Sequence, residues 1–330
     1  MKTFAIVGAT GAVGEEVLKV LEQRNFPIGK LVLLASKRSV GKSVTFRGKE
    51  IPVEELTEEG FNGVDMAIFS AGGNVSLKFA PIAVKADCVV IDNSSAFRMD
   101  KNVPLVIPEI NPEALRGHKG IIANPNCTTI VTLMALWPLH KKFGVRRIIA
   151  SSYQAVSGTG TNAIRELERQ VLQTVKGEPI TKEVYPKQIA FNILPQVDIF
   201  LPSGYTKEEM KMENEGRKIM NHPDFKASVT CVRVPVYRAH SVAVSAEFER
   251  AVTPEEARTV LREAPGIEVV DNPQSQEYPT PLDVSGKDNC QVGRIRKDCA
   301  FPNGLSFWVV GDQLLKGAAL NAVQIGEMLT

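Results

Sequence analysis

The chain has 330 residues, 44% of them hydrophobic and 23% charged, with a formal net charge of +2. That length accommodates two domains of ordinary size with substantial cores, and the near balance of charge gives no electrostatic reason to expect nucleic acid or a membrane surface as a partner. No apolar run approaches the ~18 residues that span a bilayer, and five cysteines without CxxC spacing, with four histidines in no metal-ligand pair, suggest neither a disulfide framework nor a metal site.

Phe4-Ala5-Ile6-Val7 reads as a short buried strand, followed by the turn GATGAVG at 8–14 and an amphipathic helix over 13–24 with Val17, Leu18 and Leu21 on one face. The opening apolar segment is thus cut by glycines and runs directly into a fold, so it is not read as a signal peptide, and a reducing cytoplasm is expected. Glycines three apart let the backbone approach a pyrophosphate and present helix N-terminal amides to it. The GxxGxxG spacing departs from the common GxGxxG, and by itself it is equally compatible with a plain tight turn. In its strand–turn–helix context it places Gly8, Thr10, Gly11, Ala12 and Val13 around a dinucleotide.

The next strand, 30–35, ends in Ser36-Lys37-Arg38-Ser39, where an NAD site usually offers an acidic residue to the ribose hydroxyls. Basic side chains flanked by hydroxyls suit a 2′-phosphate, so NADP is expected, with Ser36, Arg38 and Ser39 as contacts. A solvated basic turn is the bland alternative. Gly41-Lys42-Ser43 looks like the end of a P-loop, but Ser36 stands where such a loop requires glycine, which argues against a nucleotide triphosphatase. A strand at 64–70, a glycine turn containing Gly72, a helix at 75–85 and a strand at 88–92 continue a doubly wound α/β pattern whose ligands bind at the carboxyl ends of the strands.

An apolar helix is expected at 128–143, with Cys127 at its first turn after Asn126, a good N-cap, and Pro125. A free cysteine is most often a small buried hydrophobe. At a helix start, unpaired N–H groups and the positive end of the dipole favour thiolate, the state of a nucleophile. Backbone amides around Asn126 and Cys127 are candidates for an oxyanion site. Beyond this point the pattern changes to a long strand at 145–153, a polar helix at 162–175, and β-rich stretches at 228–236 and 241–248. A final helix at 313–328 has an apolar face able to return to the first domain. The expected fold is therefore α/β: a Rossmann-type doubly wound dinucleotide-binding domain, 1–126 with the C-terminal helix 313–330, plus an α+β catalytic and dimerisation domain at 127–312.

Taken in order, GATGAVG at 8–14, ASKRS at 35–39, NPNCTT at 124–129, SSYQAVSGTG at 151–160, EEMK at 208–211, RVPV at 233–236 with AHS at 239–241, and GDQLLKGAA at 311–319 resemble the aspartate-semialdehyde dehydrogenase family nearly end to end. The resemblance implies NADP-dependent reductive dephosphorylation of L-aspartyl 4-phosphate to L-aspartate 4-semialdehyde and inorganic phosphate, an early step shared by lysine, threonine and methionine synthesis, carried out by a homodimer. It implies Cys127 as nucleophile and His240 as acid/base, although a lone histidine between strands is by default a packed or surface group. Arg233 then takes the substrate α-carboxylate, Glu208 the α-ammonium, and Arg98 with Lys211 the phosphate, while Gln154 orients the acyl group. Ser157, Gly158 and Gln313 are the further cofactor contacts that the resemblance implies. Residue type alone makes Glu208 and Lys211 an ordinary i,i+3 surface pair, and leaves open whether Glu208 or Glu209 acts.

Within enzymes, N-acetyl-glutamyl-phosphate reductase and glyceraldehyde-phosphate dehydrogenase use related chemistry. The former typically has glycine directly before its cysteine, where this chain has Asn126, and the SCTTN signature of the latter is altered here at Asn126 and Ile130. A cofactor-binding regulator without catalysis is the reading from a different class; retention of Cys127, Arg233 and His240 together argues against it.

Overall fold

The structure, a computed structural model, describes residues 2–330. The chain divides into two compact units, 1–126 with 318–330, and 127–317.

The first unit comprises β1 (Lys2–Val7), α1 (Ala12–Gln23), β2 (Ile28–Ala35), β3 (Ser43–Phe46), β4 (Lys49–Glu55), β5 (Met66–Phe69), α2 (Gly73–Lys85), β6 (Val89–Asp92) and β7 (Ile121–Ala123). Its sheet runs β3-β4-β2-β1-β5-β6-β7, parallel throughout except for the β3–β4 hairpin at one edge. Strand order therefore reverses between β1 and β5, the switch point of a doubly wound sheet. Ala5, Val7, Val32, Leu34, Ala67 and Phe69 form one core with Phe61, Ala80 and Ala83, which explains why the central strands read as continuous apolar runs.

The second unit comprises α3 (Cys127–Phe143), β8 (Val145–Gln154), α4 (Thr161–Lys176), α5 (Lys207–Ile219), β9 (Lys226–Arg233), β10 (His240–Phe248), α6 (Pro254–Arg262), β11 (Ile267–Val269), α7 (Pro281–Val284), β12 (Cys290–Lys297) and β13 (Gly304–Gly311). They build a mixed sheet in the order β11-β12-β13-β10-β8-β9, antiparallel from β12 to β8 and parallel at both edges. α3 is buried continuously from Thr128 to Leu136, in keeping with its apolar composition, and reaches the surface at Lys141 and Lys142. Polar side chains on α4 hold the long segment that follows. The Glu166 carboxylate accepts N–H groups of Glu183, Val184 and Tyr185 at 2.7, 2.5 and 3.3 Å, and Gln170 Oε1 accepts those of Ile189 and Ala190.

The expected terminal helix over 313–328 is instead a single wide π turn, Leu315–Ala319, followed by α8 (Leu320–Glu327). Asp312 causes the delay. Its Oδ1 accepts N–H bonds from Leu314 and Leu315, and its carbonyl accepts from Gly317 across five residues. Gly317 then lies where a Cβ would come within 3.0 Å of Cys127 Cβ, so an ordinary turn bearing a side chain has no room.

Candidate active site

In the first unit, Gly8 follows β1 in a left-handed conformation at φ +88°, and a Cβ there would sit 2.6 Å from the Ser70 carbonyl oxygen after β5. The loops after β1 and β5 thus meet at the switch point with no room for a side chain. Gly11 caps α1, which begins at Ala12 and leaves its first amides, Ala12 and Val13 included, without helical partners. A Cβ on Gly11 would approach only Gly8 O, at 3.4 Å, and one on Gly72, at φ +89° before α2, would meet nothing within 4 Å. These bare backbones at two helix N-termini fit an anionic pyrophosphate. Thr10 Oγ1 and Ser39 Oγ are 3.1 Å apart, which brings the glycine turn to the loop after β2. There Ser36, Lys37 and Arg38 are exposed around a single 3₁₀ turn, while Ser39 is buried.

The buried Arg98 belongs to the same unit. Its Nε donates to Asn124 O at 2.9 Å and its Nη2 to Asn93 O at 3.0 Å, so two backbone carbonyls fix the guanidinium near the chain that leads into Asn126. Asp92 organises that loop, accepting from Ser76 and Ser94. Asn126, also buried, closes the first unit.

The second unit begins with Cys127 as the first residue of α3, partly exposed and followed by the buried Thr128 and Thr129. On β9 the buried Arg233 directs Nη1 to Ala155 O at 2.7 Å; its Nε has no hydrogen-bond partner and, among the described residues, no carboxylate pairs with it. On β10, His240 is fully buried. The N–H of Ala155 donates to its Nδ1 at 3.1 Å, which places the neutral ring's proton on Nε2, and Nε2 is also buried without a partner. Burial first, then the Arg233 charge, pull the His240 pKa down to about 3, with Glu208 and the Ala239 carbonyl opposing. The imidazole is therefore neutral at pH 7. Two orphaned nitrogens in one buried place are costly unless a ligand satisfies them. Gly158 makes the arrangement possible, since a Cβ there would lie 3.0 Å from Arg233 Nη1 and 3.2 Å from His240 Nε2.

Around this pair, Gln154 Nε2 donates to Glu208 Oε1 at 3.2 Å and to Ser152 Oγ at 3.3 Å, and Lys211 Nζ bridges Glu208 at 2.8 Å and Asp198 at 3.2 Å. Glu209 is occupied elsewhere. One oxygen completes a capping box with Thr206 and the other accepts the Cys231 N–H, leaving Glu208 as the carboxylate of the cluster. The Cys231 thiol is pushed up to about 12, by burial first and then by the Glu208 charge, with Glu209 and Cys127 adding to the effect, so the nucleophile candidate shares this neighbourhood. The buried Gln313 donates to Ser157 Oγ and accepts the Ala239 N–H at 2.7 Å. Sequence reasoning missed Asp198, Gly317 and Tyr185, whose hydroxyl bonds Thr159 at 3.0 Å and feels the Arg233 charge. Tyr185 and Asp198 lie in the aperiodic stretch between α4 and α5, where no spacing singles them out.

Two family models match the chain: the semialdehyde dehydrogenase NAD binding domain over residues 3–118 and the semialdehyde dehydrogenase dimerisation domain over 136–316. An aspartate-semialdehyde dehydrogenase of Aquifex aeolicus is 55% identical over 98% of this chain and 97% of its own length, and one of Bacillus subtilis is 52% identical over 98% and 96%. Among solved structures, aspartate semialdehyde dehydrogenase II of Vibrio cholerae, described as complexed with ASA, superimposes with a TM-score of 0.97 at 47% identity, covering 100% of this chain and 98% of that one. A Candida albicans enzyme described as bound with NADP does so with a TM-score of 0.77 at 26% identity, covering 100% and 98%. With the doubly wound sheet, the glycine cradle and the Cys127, Arg233 and His240 cluster in place, these likenesses show that the chain belongs to the aspartate-semialdehyde dehydrogenase family, oxidoreductases of amino-acid biosynthesis with a Rossmann NAD(P)-binding domain.

Proposed function

We propose that this enzyme interconverts L-aspartyl 4-phosphate and L-aspartate 4-semialdehyde with NADP, through a thioester on Cys127, in the cytoplasmic supply of lysine, threonine and methionine. The observation that carries the reading is the buried pair of Arg233 and His240, each with an orphaned nitrogen, packed against the bare backbone of Gly158.

In the reductive direction the Cys127 thiolate attacks the acyl carbon; the C–S bond forms as the C–O bond to phosphate breaks, and inorganic phosphate leaves. The nicotinamide cofactor, when bound, supplies the hydride that turns the thioester into a thiohemiacetal. Breaking the C–S bond then releases the aldehyde and restores the thiolate. In each step negative charge builds on the acyl oxygen, and the His240 Nε2–H is a preorganised donor for it. Removing a proton from Cys127 with the same nitrogen would require an imidazolium whose Nδ1–H faces the Ala155 N–H. The geometry thus favours His240 as donor to the oxygen over His240 as base toward the thiol.

Arg233 offers the planar fork suited to the α-carboxylate and Glu208 the charge for the ammonium. Gln154, bonded to Glu208, orients the acyl group. Lys211 already serves two carboxylates, so phosphate there meets repulsion as well as attraction, and Arg98 carries the larger share of phosphate binding. Ser157 and Gly158 complete the cofactor side of this unit, with the buried Gln313 bonded to Ser157 behind them. A homodimer is proposed through the second unit's sheet, where Ile149 and Tyr153 leave apolar surface exposed beside the half-buried Trp308.

The test is phosphate-dependent NADP reduction with L-aspartate 4-semialdehyde, varying each substrate in turn. Arg98→Ala is expected to raise the KM for phosphate far more than that for semialdehyde, and Arg233→Ala to do the reverse, with Arg233→Lys also poor because an ammonium lacks the two-bond geometry. If both variants alter the two terms alike, separate anion sites are ruled out.

A further inference from the structure

Ala239, directly before His240, sits at φ +70°, in the left-handed region that a residue with a Cβ avoids. No glycine relieves it, so its surroundings must hold it there. The contacts that do so are specific. Gln313 Oε1 accepts the Ala239 N–H at 2.7 Å, and Gln313 Nε2 donates to Ser157 Oγ. Ser157 is itself tied down, its N–H donating to Tyr237 O at 3.3 Å beside the Val156 N–H to Val236 O bond at 2.9 Å. All three residues are 3% exposed or less. The next residue back along this segment, Ala155, donates to His240 Nδ1 and accepts from Arg233 Nη1. One short stretch of backbone, 155–158, therefore sets both site side chains, and the Gln313 amide locks it to the strained turn that leads into β10.

We propose that Gln313 is a positioning residue that aims His240, by clamping Ala239 in its left-handed conformation against Ser157. This rests on the reading of His240 as the donor to the reacting oxygen. It differs from a cofactor contact because each polar end of the amide holds a partner inside the protein, Ala239 N–H at Oε1 and Ser157 Oγ at Nε2, and the consequence of losing them is a released backbone turn. Relaxation of Ala239 out of the left-handed region would rotate the start of β10, break the Ala155 N–H bond to Nδ1 and free the ring to take the other tautomer.

Gln313→Ala is expected to lower kcat about tenfold or more, a partial loss of the roughly 10²–10⁴-fold that an acid–base group contributes, while the KM for NADP stays within about threefold. Adding Ala239→Gly removes the cost of the left-handed conformation and is expected to recover several-fold of the lost kcat. Ring ¹⁵N shifts of His240, which report the tautomer without turnover, should show a proton on Nε2 in the native enzyme, a mixture in Gln313→Ala and partial return in the double variant. If Gln313→Ala fails to fold, Gln313→Met keeps the volume while removing the acceptor, and the same results are required of it. A large rise in the KM for NADP with kcat and the tautomer unchanged overturns the proposal, as does a double variant no better than the single. A tautomer mixture with unchanged kcat supports the clamp and instead refutes the assigned role of His240.

Discussion

Among the described residues Cys299 is exposed and Cys127 partly exposed, whereas Cys88, Cys231 and Cys290 are buried, and burial pushes the Cys88 and Cys231 thiols up to about 12. Sequence alone singles out Cys127 as the sole thiol to react rapidly, because the solvent exposure of Cys299, in a loop between β12 and β13, leaves no trace in residue spacing. The expectation now is that iodoacetamide on the folded enzyme modifies Cys127 and Cys299 and spares the others, and that activity falls in step with Cys127 alone. Peptide mapping against residual activity checks this; loss of activity in step with Cys299 would remove Cys127 from its assigned role. Cys127→Ser should abolish turnover while keeping the fold, since the volume change is small. At the same scale, Glu208 and Glu209 are indistinguishable as letters. Only the capping box and the Cys231 N–H bond, which depend on where α5 and β9 pack, separate a structural carboxylate from one in the cluster.

The element scale is where sequence reading reached furthest, and its misses share a cause. β1, α1, β2 and α3 were legible because apolar runs and glycine punctuation are local signals. β12 and β13 were not, since a strand such as CQVGRIRK interrupts its alternation with a glycine and three basic side chains, and its register with β13 shifts between Gly293 and Arg296. The motif 151–160 was legible as family likeness, yet its physical content, a peptide segment bonded to both Arg233 and His240, arises only when β9 and β10 are brought to it by the fold. That content makes Gly158→Ala informative. The added methyl would press on Arg233 Nη1 and the His240 ring at 3.0 to 3.2 Å, so displacements of a few tenths of an ångström are forced on the two side chains. We expect kcat/KM to fall about tenfold or more, as for small misplacements of reacting groups, with the midpoint of thermal unfolding shifted little; intact kinetics would show that neither side chain needs its present position. The loop after β2 carries an independent prediction. Arg38 is exposed beside Ser36 and Ser39, free of the packing that would confound substitution. Arg38→Ala should weaken NADP by about one to two decades, the worth of a charge-assisted bond, and leave NAD nearly unchanged. Direct binding titrations with each cofactor decide it, and equal losses would show that Arg38 does not read a 2′-phosphate.

For the whole molecule, burying a neutral histidine to build the site has a consequence for stability. The ordinary histidine pKa of 6.5 drops to about 3 at His240, and His140, stacked on His222 at 5.0 Å, is also lowered, first by burial and then by the neighbouring ring. Both groups accept a proton more readily when unfolded. Their contribution to stability is therefore complete above pH 6.5 and is lost as pH falls below it, with His240 protonating in the folded chain only near pH 3. The exposed carboxylates of Glu50 and Glu256, held low by hydrogen bonds from hydroxyls, act in the same direction below pH 4.5. Acid thus destabilises the fold well before it could charge the site. For His240 alone, linkage gives a loss of about 2 kcal/mol between pH 7 and pH 5. The two tryptophans, Trp137 and Trp308, both lie in the unit that contains His240, so urea unfolding followed by their fluorescence reports on the relevant part of the chain. Replacing His240 by glutamine removes this proton uptake but leaves that of His140. The native enzyme should therefore lose about 2 kcal/mol more than His240→Gln over the same pH interval, with the variant keeping the slope due to His140; parallel pH dependences for the two proteins would mean that His240 titrates in the folded chain as it does unfolded, and that burial does not hold the donor neutral through this interval.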